Sequence, residues 1–192
     1  MLAVIVTILA VVLAVLVFLY RDKLPRSSLS ENSDNIADII SDSVPFTYET
    51  GSQQIFSLMG DNLLLASSTG LQMLDSNGET VSREVFSMTN PAVCASESVS
   101  AVYDVGGYSL RISKEGEFKN FDRDSEIISV SVNSNGYVCV AGYEAGYKGS
   151  VTIYDTSLTP VYEWFSGTGY ILDASVSPDN STLAVLCIES SG

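Results

Sequence analysis

From residue 46 onward, the chain consists of short runs of alternating apolar and polar residues, separated by turn residues. Residues 129–140, SVSVNSNGYVCV, contain one run, an Asn/Gly turn and a second run, and residues 174–187, ASVSPDNSTLAVLC, repeat this plan. A period of two residues is typical of β-strands, because successive side chains point to opposite faces of a sheet. The pattern predicts fourteen strands: QIFSLM, NLLLAS, GLQMLD, TVSREVFS, AVCASE, SAVYDV, YSLRIS, EFKNFD, IISVSV, YVCVAG, GSVTIYD, PVYEWF, ILDASV and TLAVLC.

The predicted strands recur with a longer period. Gly78 and Gly116 occupy equivalent turns 38 residues apart, and Val132 and Val176 end equivalent strands 44 residues apart. A repeat of about 40 residues with four antiparallel strands per unit is typical of β-propeller blades. A β-sandwich would not keep this spacing, and the two-residue period excludes helical repeats. We predict an all-β fold, a partial β-propeller of about three and a half four-stranded blades over residues 46–192.

The last predicted blade has two strands, whereas each of the others has four. Closed propellers have about 4–8 blades, so this set does not close a ring without strain or a partner. A two-stranded blade also leaves an open edge for strand pairing. We therefore expect the sequence to be the front portion of a longer protein.

Residues 1–20, MLAVIVTILAVVLAVLVFLY, contain no charged side chain. A helix of about 19 apolar residues is roughly 28 Å long, enough to cross the hydrocarbon core of a bilayer. A buried core helix would show a polar stripe, and a cleaved signal peptide would precede a small-residue cleavage site, whereas FLYRDKLPR follows here. We predict one uncleaved N-terminal transmembrane helix.

Residues 21–45 have the Ser, Asp and Asn content of a juxtamembrane linker. Ser33 or Asp34 could cap a short helix within it. Such a helix would present three isoleucines on one face, which we expect to dock on the strands that follow: Ile36, Ile39 and Ile40.

The formal net charge of -14 argues against nucleic acid or anionic lipid as a partner surface. The sequence has no histidine, so the commonest general base and metal ligand is missing. Cys94, Cys139 and Cys187 form no C-x-x-C pair, which argues against a metal site or a disulfide framework. We interpret Cys94 and Cys139 as small core residues, with a Cys139–Cys187 disulfide as the alternative. We expect neither a cofactor nor a metal.

Two acidic motifs have a structural interpretation beside a functional one. The segment DSNGE, residues 75–79, lacks the dozen-residue spacing of a calcium loop, so we predict a hairpin turn. The segment FDRDSE, residues 121–126, places three alternating carboxylates in a connection between blades, where we expect them to be solvated. Neither motif singles out a catalytic pair.

The connection GYEAGYKGS, residues 142–150, is longer than its counterparts STG and DVGGY. It offers Tyr143, Tyr147 and Lys148 as candidate partner-binding residues. Aromatic side chains on exposed loops are well suited to binding sugars or peptides, because they supply a large contact area and a polar tip.

Several segments of the sequence resemble one group of proteins: FTYETGSQQIFSLMGDNLLLASSTGLQMLDSNG, SMTNPAVCAS, AVYDVGG, GYKGSVTIYD and VYEWFSGTGYILDASVSPD. The turn SPDN before an apolar strand is similar to the SPDG hairpin of WD-repeat-like propellers. The sequence as a whole resembles an uncharacterised family of bacterial propeller proteins, classed as a domain of unknown function. The proteins of that family are anchored by one N-terminal transmembrane helix. The resemblance implies a single-pass protein of the cytoplasmic membrane with an extracytoplasmic propeller. It implies no activity and no catalytic residues.

Three hypotheses about function follow. The first is a membrane-tethered, non-enzymatic binding or scaffold module for a protein or an envelope glycan. The second is an extracytoplasmic hydrolase or lyase with active carboxylates at the central mouth of the ring. The third is a propeller that faces the cytoplasm, because basic residues follow the apolar segment and none precedes it: Arg21, Lys23 and Arg26.

Overall fold

The computed structural model describes residues 52–114 and 116–189, and within these ranges the regular secondary structure is entirely β. The strands are β1 (Ile55–Met59), β2 (Asn62–Ser67), β3 (Gly70–Leu74), β4 (Thr80–Val85), β5 (Pro91–Ala95), β6 (Val99–Asp104), β7 (Leu110–Lys114), β8 (Glu117–Asn120), β9 (Ile127–Val132), β10 (Val138–Gly142), β11 (Gly149–Tyr154), β12 (Pro160–Ser166), β13 (Tyr170–Val176) and β14 (Leu183–Ile188).

Each sheet is an antiparallel meander in which consecutive strands are neighbours. Sheet 1 contains β1–β4, sheet 2 contains β5–β8, sheet 3 contains β9–β12, and sheet 4 contains β13 and β14. In sheet 3 the first hairpin closes on the pair Val132 and Val138, and in sheet 4 it closes on Val176 and Leu183. The hairpin that recurs in the sequence therefore recurs in the structure, with a connection of five residues in sheet 3 and of six residues in sheet 4.

The sheets pack against one another in chain order, and each junction has its own hydrophobic core. Burial of each large aliphatic side chain contributes about 1.5–3 kcal/mol to this packing. The buried core residues are Met59, Leu64, Ala66, Leu71, Met73, Met88 and Val102 between sheets 1 and 2; Val99, Ala101, Tyr103, Leu110, Ile112, Ile127, Val130, Val138 and Val140 between sheets 2 and 3; and Cys139, Ala141, Val151, Ile153, Ile171, Ala174 and Val176 between sheets 3 and 4.

The first strand of each sheet lies beside the next sheet. Strand β5 contacts β1, β9 contacts β5 and β6, and β13 contacts β9 and β10. Strand β10 is buried along its whole length, because alternate side chains enter the cores on its two sides. Strand β12, the last of its sheet, is mostly exposed. Burial therefore falls from the strands of the sheet interiors toward the last strand.

Because neighbouring strands run in opposite directions, the connections divide between the two ends of the sheets. We name the end that carries the connections after odd-numbered strands the turn face; its described residues are 60–61, 75–79, 96–98, 116, 133–137, 155–159 and 177–182. The opposite end is the loop face: residues 68–69, 86–90, 105–109, 121–126, 143–148 and 167–169.

The fourteen strands coincide with the fourteen predicted runs, so the prediction of four-stranded antiparallel sheets is confirmed. Gly78 and Gly116 both have a positive φ, 80° and 86°, in equivalent turns. The predicted transmembrane segment 1–20, the linker 21–45 and its short helix lie outside the described residues. Within the described ranges, no helix is both long and apolar enough to span a membrane.

Candidate functional site

The turn face is built from side chains that cap their own turns. Asp75 Oδ1 accepts hydrogen bonds from the backbone N–H groups of Asn77 and Glu79, at 2.9 and 2.8 Å. Asp155 Oδ1 likewise accepts hydrogen bonds from the backbone N–H groups of Ser157 and Thr159, at 2.8 and 2.9 Å. Asp and Asn favour such turns because their short side chains reach the backbone two residues on. The predicted hairpin turn at DSNGE is confirmed.

Asn133 extends this arrangement from one sheet to the next. Its Oδ1 accepts the N–H groups of Asn135 and Tyr137, and its Nδ2 donates to the Ser177 carbonyl at 2.9 Å and to Asn180 Oδ1 at 2.6 Å. The side chain is 8% exposed. A buried amide with all of these partners fixes the two repeated hairpins against each other.

The loop face is held together mainly by backbone hydrogen bonds between neighbouring connections. The Arg123 N–H donates to the Tyr108 carbonyl at 2.8 Å, and the Tyr143 N–H donates to the Glu126 carbonyl at 2.9 Å. The Ile127 N–H donates to the Gly107 carbonyl at 2.8 Å. Three connections, 105–109, 121–126 and 143–148, are therefore joined mainly through their backbones.

These three connections enclose a groove of about 490 Å³. Tyr108 and Tyr143 lie on it with 51% and 53% of their surface exposed. The groove is lined by Tyr108, Asp124, Ser125, Glu126, Tyr143, Glu144 and Ala145. It combines two accessible aromatic rings with three carboxylates, so it is suited to a ligand that has both apolar surface and positive charge.

The nearby arginines are engaged beside the groove rather than inside it. Arg123 hydrogen bonds to the Tyr154 hydroxyl, and its guanidinium carbon lies 6.0 Å from the centre of that ring. Arg111 Nη1 forms an ion pair with Asp122 at 2.9 Å. All three carboxylates of residues 121–126 are exposed, as expected, and Asp122 also pairs with the guanidinium that β7 places beside it.

The three predicted site residues separate into two places. Tyr143 lines the groove. Tyr147 is 47% exposed and stacks on Phe165 of β12, with ring centres 4.9 Å apart. Lys148 Nζ lies 3.0 Å from the Tyr170 hydroxyl and 4.6 Å from the centre of its ring. Tyr147 and Lys148 thus face the last strand of sheet 3 and the first strand of sheet 4.

The close packing of the connection 143–148 explains the glycines at its two ends. A Cβ on Gly142 would lie 3.0 Å from the Glu126 carbonyl oxygen. Gly149 has a φ of 152°, and a Cβ there would lie 2.9 Å from Ile171 Cδ1. Both positions favour glycine, because a side chain would push the connection away from its neighbours.

Sequence reasoning missed Tyr108 and Glu144 as groove residues. Tyr108 stands after the two glycines of DVGGY, in a connection equivalent to the one that was selected. Its hydroxyl lies 3.5 Å from Glu126 Oε1. The signal in the sequence was that two equivalent connections each contain a tyrosine, Tyr108 and Tyr143. Only the packing of neighbouring sheets showed that both tyrosines line the same groove.

Two buried thiols have strongly raised pKa values. Burial raises the pKa of the Cys94 and Cys139 thiols to about 12, so neither is a thiolate at neutral pH. All three cysteines are free, so the alternative Cys139–Cys187 disulfide is not formed in the structure. Among residues 52–114 and 116–189, no cluster of three or more His, Cys, Asp or Glu side chains is arranged to hold a metal ion.

Solved structures with similar folds are WD40 and β-propeller domains. Hsv2p of Kluyveromyces lactis has a TM-score of 0.53 and 14% identity, over 72% of this chain and 47% of its own. The C-terminal WD40 domain of Sif2 has a TM-score of 0.54 and 16% identity, over 77% of this chain and 47% of its own. The Cps50 (Swd1) propeller domain of Myceliophteria thermophila has a TM-score of 0.53 and 10% identity, over 76% of this chain and 51% of its own.

These likenesses confirm the predicted β-propeller class, and at such low identity they establish the fold alone. The chain spans about half the length of the three structures.

A search of curated proteins found no significant match. The profile of a family of unknown function, DUF5711, matches residues 39–192. The match covers most of the chain and all of the described strands. The predicted resemblance to an uncharacterised propeller family is confirmed to that extent, and the chain belongs to the family of unknown function DUF5711.

Proposed function

We propose that this chain is a non-enzymatic binding module that captures a protein partner on its loop face. A membrane anchor formed by residues 1–20 would hold the module beside the bilayer, with the propeller outside the cytoplasmic membrane. The observation that carries the proposal is the groove between Tyr108 and Tyr143. Exposed aromatic side chains in a concave site are the usual anchors of protein recognition.

The groove is preorganised, which favours binding. Its walls are joined by the backbone hydrogen bonds of Tyr143 to Glu126 and of Arg123 to Tyr108. A partner therefore meets side chains on a fixed backbone and loses less binding free energy to ordering of the loops.

The charges of the groove indicate the chemistry of the partner. Asp124, Glu126 and Glu144 contribute three carboxylates, and the adjacent Arg123 is directed to Tyr154. We propose that the partner inserts a lysine or arginine side chain between the two tyrosine rings. A cation over a tyrosine face gains about 0.5–2 kcal/mol, depending on how far it is desolvated.

The hydrolase hypothesis receives less support from the same residues. A general acid at neutral pH needs a carboxyl group whose pKa is raised. In the described part of the chain, each carboxyl group with a resolved shift has a lowered pKa: Asp75, Asp122 and Asp179. The buried thiols are also unsuited to nucleophilic attack.

The binding proposal is tested by selecting peptides from a random display library on the purified chain. We expect the selected peptides to contain Lys or Arg beside an aromatic or aliphatic residue. Tyr143→Ala and Tyr108→Ala should each weaken their binding at least tenfold. The matched control is Tyr162→Ala, since Tyr162 is also 50% exposed but lies on β12, away from the groove.

Three outcomes would contradict this assignment. The first is a set of selected peptides without a basic residue, and the second is peptide binding that survives both substitutions. The third is binding to a parallel glycan array with the same dependence on Tyr143, which would identify an envelope glycan as the ligand class.

The proposed orientation has its own test. A single cysteine placed in the linker, by Ser30→Cys, would be probed in intact cells with a membrane-impermeant maleimide, in a chain without its three native cysteines. An extracytoplasmic propeller predicts labelling before lysis. Labelling only after lysis would favour the cytoplasm-facing alternative indicated by Arg21, Lys23 and Arg26.

A further inference from the structure

Leu158 has a backbone conformation that is unusual for a leucine. Its N–H donates to the carbonyl three residues earlier, that of Asp155, at 2.9 Å, and its φ is 60°. In other turn-face connections the same hydrogen bond comes from Gly78, Gly136 and Asn180, which also have positive φ values. Glycine and asparagine adopt this left-handed region readily, whereas leucine is strained there. Because backbone strain clusters at functional sites, we searched the surroundings of the Leu158 side chain for a binding site.

The Leu158 side chain packs against the core between sheets 2 and 3, and it also lines a pocket of about 330 Å³. The pocket lies between the β7–β8 hairpin and the connection 155–159, at the turn-face end of this junction. Ile112 of β7, which is buried, lines the same pocket. Two aliphatic side chains therefore give the pocket an apolar wall.

The β7–β8 hairpin adds two lysines to this pocket. Lys114 lies opposite Glu117 and Lys119 lies opposite Ile112 in the strand pairing, so these four side chains share one face of sheet 2. Lys114 Nζ donates to the Thr156 carbonyl at 2.8 Å, which holds one ammonium group at the junction with sheet 3. Both lysines lie on strands, so the side chains of the turn-face connections keep their capping roles.

The two ammonium groups are available to a ligand. Within residues 52–114 and 116–189, neither Lys114 nor Lys119 forms an ion pair. Lys114 retains two N–H donors beyond its bond to Thr156, and Lys119 has three. Thr156 and Ser157 add hydroxyl groups to the lining, and Glu117 is the one carboxylate among the described lining residues. The pocket thus has an excess of positive charge in a chain whose formal net charge is -14.

We propose that this pocket binds a small organic phosphate, with the phosphate group between Lys114 and Lys119 and the carbon group against Ile112 and Leu158. A phosphate monoester carries about −1.5 to −2 charges at neutral pH and has three strong acceptor oxygens, which suits two ammonium groups on different strands. The pocket lies at the opposite end of the sheets from the loop-face groove, so this inference goes beyond the proposed function.

The test titrates the purified chain with butyl phosphate and follows the backbone amide signals of β7, β8 and residues 155–159 by NMR. Inorganic phosphate and pentanoate are titrated in parallel, since pentanoate carries the same butyl group on a carboxylate. We expect saturable shifts confined to these segments with butyl phosphate. Inorganic phosphate should bind more weakly, because it leaves the apolar wall uncovered, and pentanoate should bind more weakly because it carries less charge.

Four variants separate the contributions of the pocket. Lys119→Ala should weaken butyl phosphate binding about fivefold, as expected for the loss of one exposed ion pair. Glu117→Gln should strengthen binding, because it removes a like charge, and a general loss of structure would not produce this gain. Leu158→Gly should weaken the binding of butyl phosphate but not of inorganic phosphate. The matched control is Lys148→Ala, which removes a loop-face lysine whose ammonium lies at Tyr170, and it should change neither affinity.

Three results would overturn the proposal. Pentanoate binding as tight as that of butyl phosphate would remove the preference for phosphate. Equal affinities for butyl phosphate and inorganic phosphate would remove the role of Ile112 and Leu158. An equal loss of affinity in Lys148→Ala and Lys119→Ala would indicate general attraction of anions to the surface instead of a site.

Discussion

The two ends of the sheets use the same kinds of connection in different ways. On the turn face, side chains such as Asp75, Asp155 and Asn133 are occupied by hydrogen bonds to the backbone. On the loop face, backbone groups join neighbouring connections, and the side chains of Tyr108 and Tyr143 remain accessible. On the loop face, backbone N–H and C=O groups hydrogen bond to one another, so the tyrosine side chains remain available to bind a partner.

The distribution of exposed aromatic residues supports this contrast. In the described part of the chain, none of the exposed large apolar side chains lies in a turn-face connection. The loop-face connections contribute Val105, Tyr108, Tyr143 and Tyr147 to this set. Substitutions on the turn face should therefore change stability, and substitutions on the loop face should change binding.

The largest expected effect is that of Asn133→Ala on the turn face. It removes the acceptor of two backbone N–H groups and two bonds to the next sheet, so we expect a loss of about 2–3 kcal/mol in the free energy of unfolding. Urea unfolding measures it. Asn133→Asp keeps the acceptors and should be intermediate, and binding at the groove should be unchanged. A loss below 0.5 kcal/mol for Asn133→Ala would remove the distinction between the faces, since surface substitutions cost that little.

A smaller effect is expected for Asp155→Ala. The aspartate caps a turn within one sheet, and its side chain hydrogen bonds to Ser157 and Thr159 of that same turn, so the loss should be about 1 kcal/mol. Asp155→Asn retains an acceptor oxygen and should recover most of the loss. Equal costs for the alanine substitutions at residues 133 and 155 would mean that the bonds between sheets add nothing.

Acid should weaken the turn-face connection that contains Asp179. Hydrogen bonds from Ser177 and Ser181 lower the pKa of Asp179 from 3.8 to about 2. A lowered pKa in the folded state stabilises the fold above about pH 4, and this contribution is lost as the pH falls toward 2. The urea midpoints of the wild-type chain and Asp179→Asn should differ at pH 5 and converge near pH 2. A difference that is independent of pH would contradict the assignment.

The smallest effect on stability is expected on the loop face, for Tyr147→Ala. The ring stacks on Phe165 but is about half exposed, so we expect a cost of about 0.5 kcal/mol and little change in the thermal transition. Binding of selected peptides should weaken if the partner extends beyond the groove. A large loss of stability would assign Tyr147 to the packing of sheet 3 instead of the binding surface.

Most of the fold could be predicted because its signals are local. The two-residue alternation of β13 and the turn SPDNS after it specify a strand and a hairpin without reference to distant residues. The candidate site was predicted only in part. Tyr143 was found from its position in a connection, but its neighbour Tyr108 is 35 residues away in sequence and on another sheet.

The sequence by itself determined the strands, their order and the turn chemistry, because each depends on residues within a few positions of one another. The tertiary structure alone decided which connections meet. The hydrogen bond from the Ile127 N–H to the Gly107 carbonyl, and the groove that brings Tyr108 to Tyr143, exist because sheet 3 packs against sheet 2 through residues such as Val130 and Val138. Packing of side chains across a junction fixes distances between residues that are far apart in the chain, and no local pattern encodes those distances.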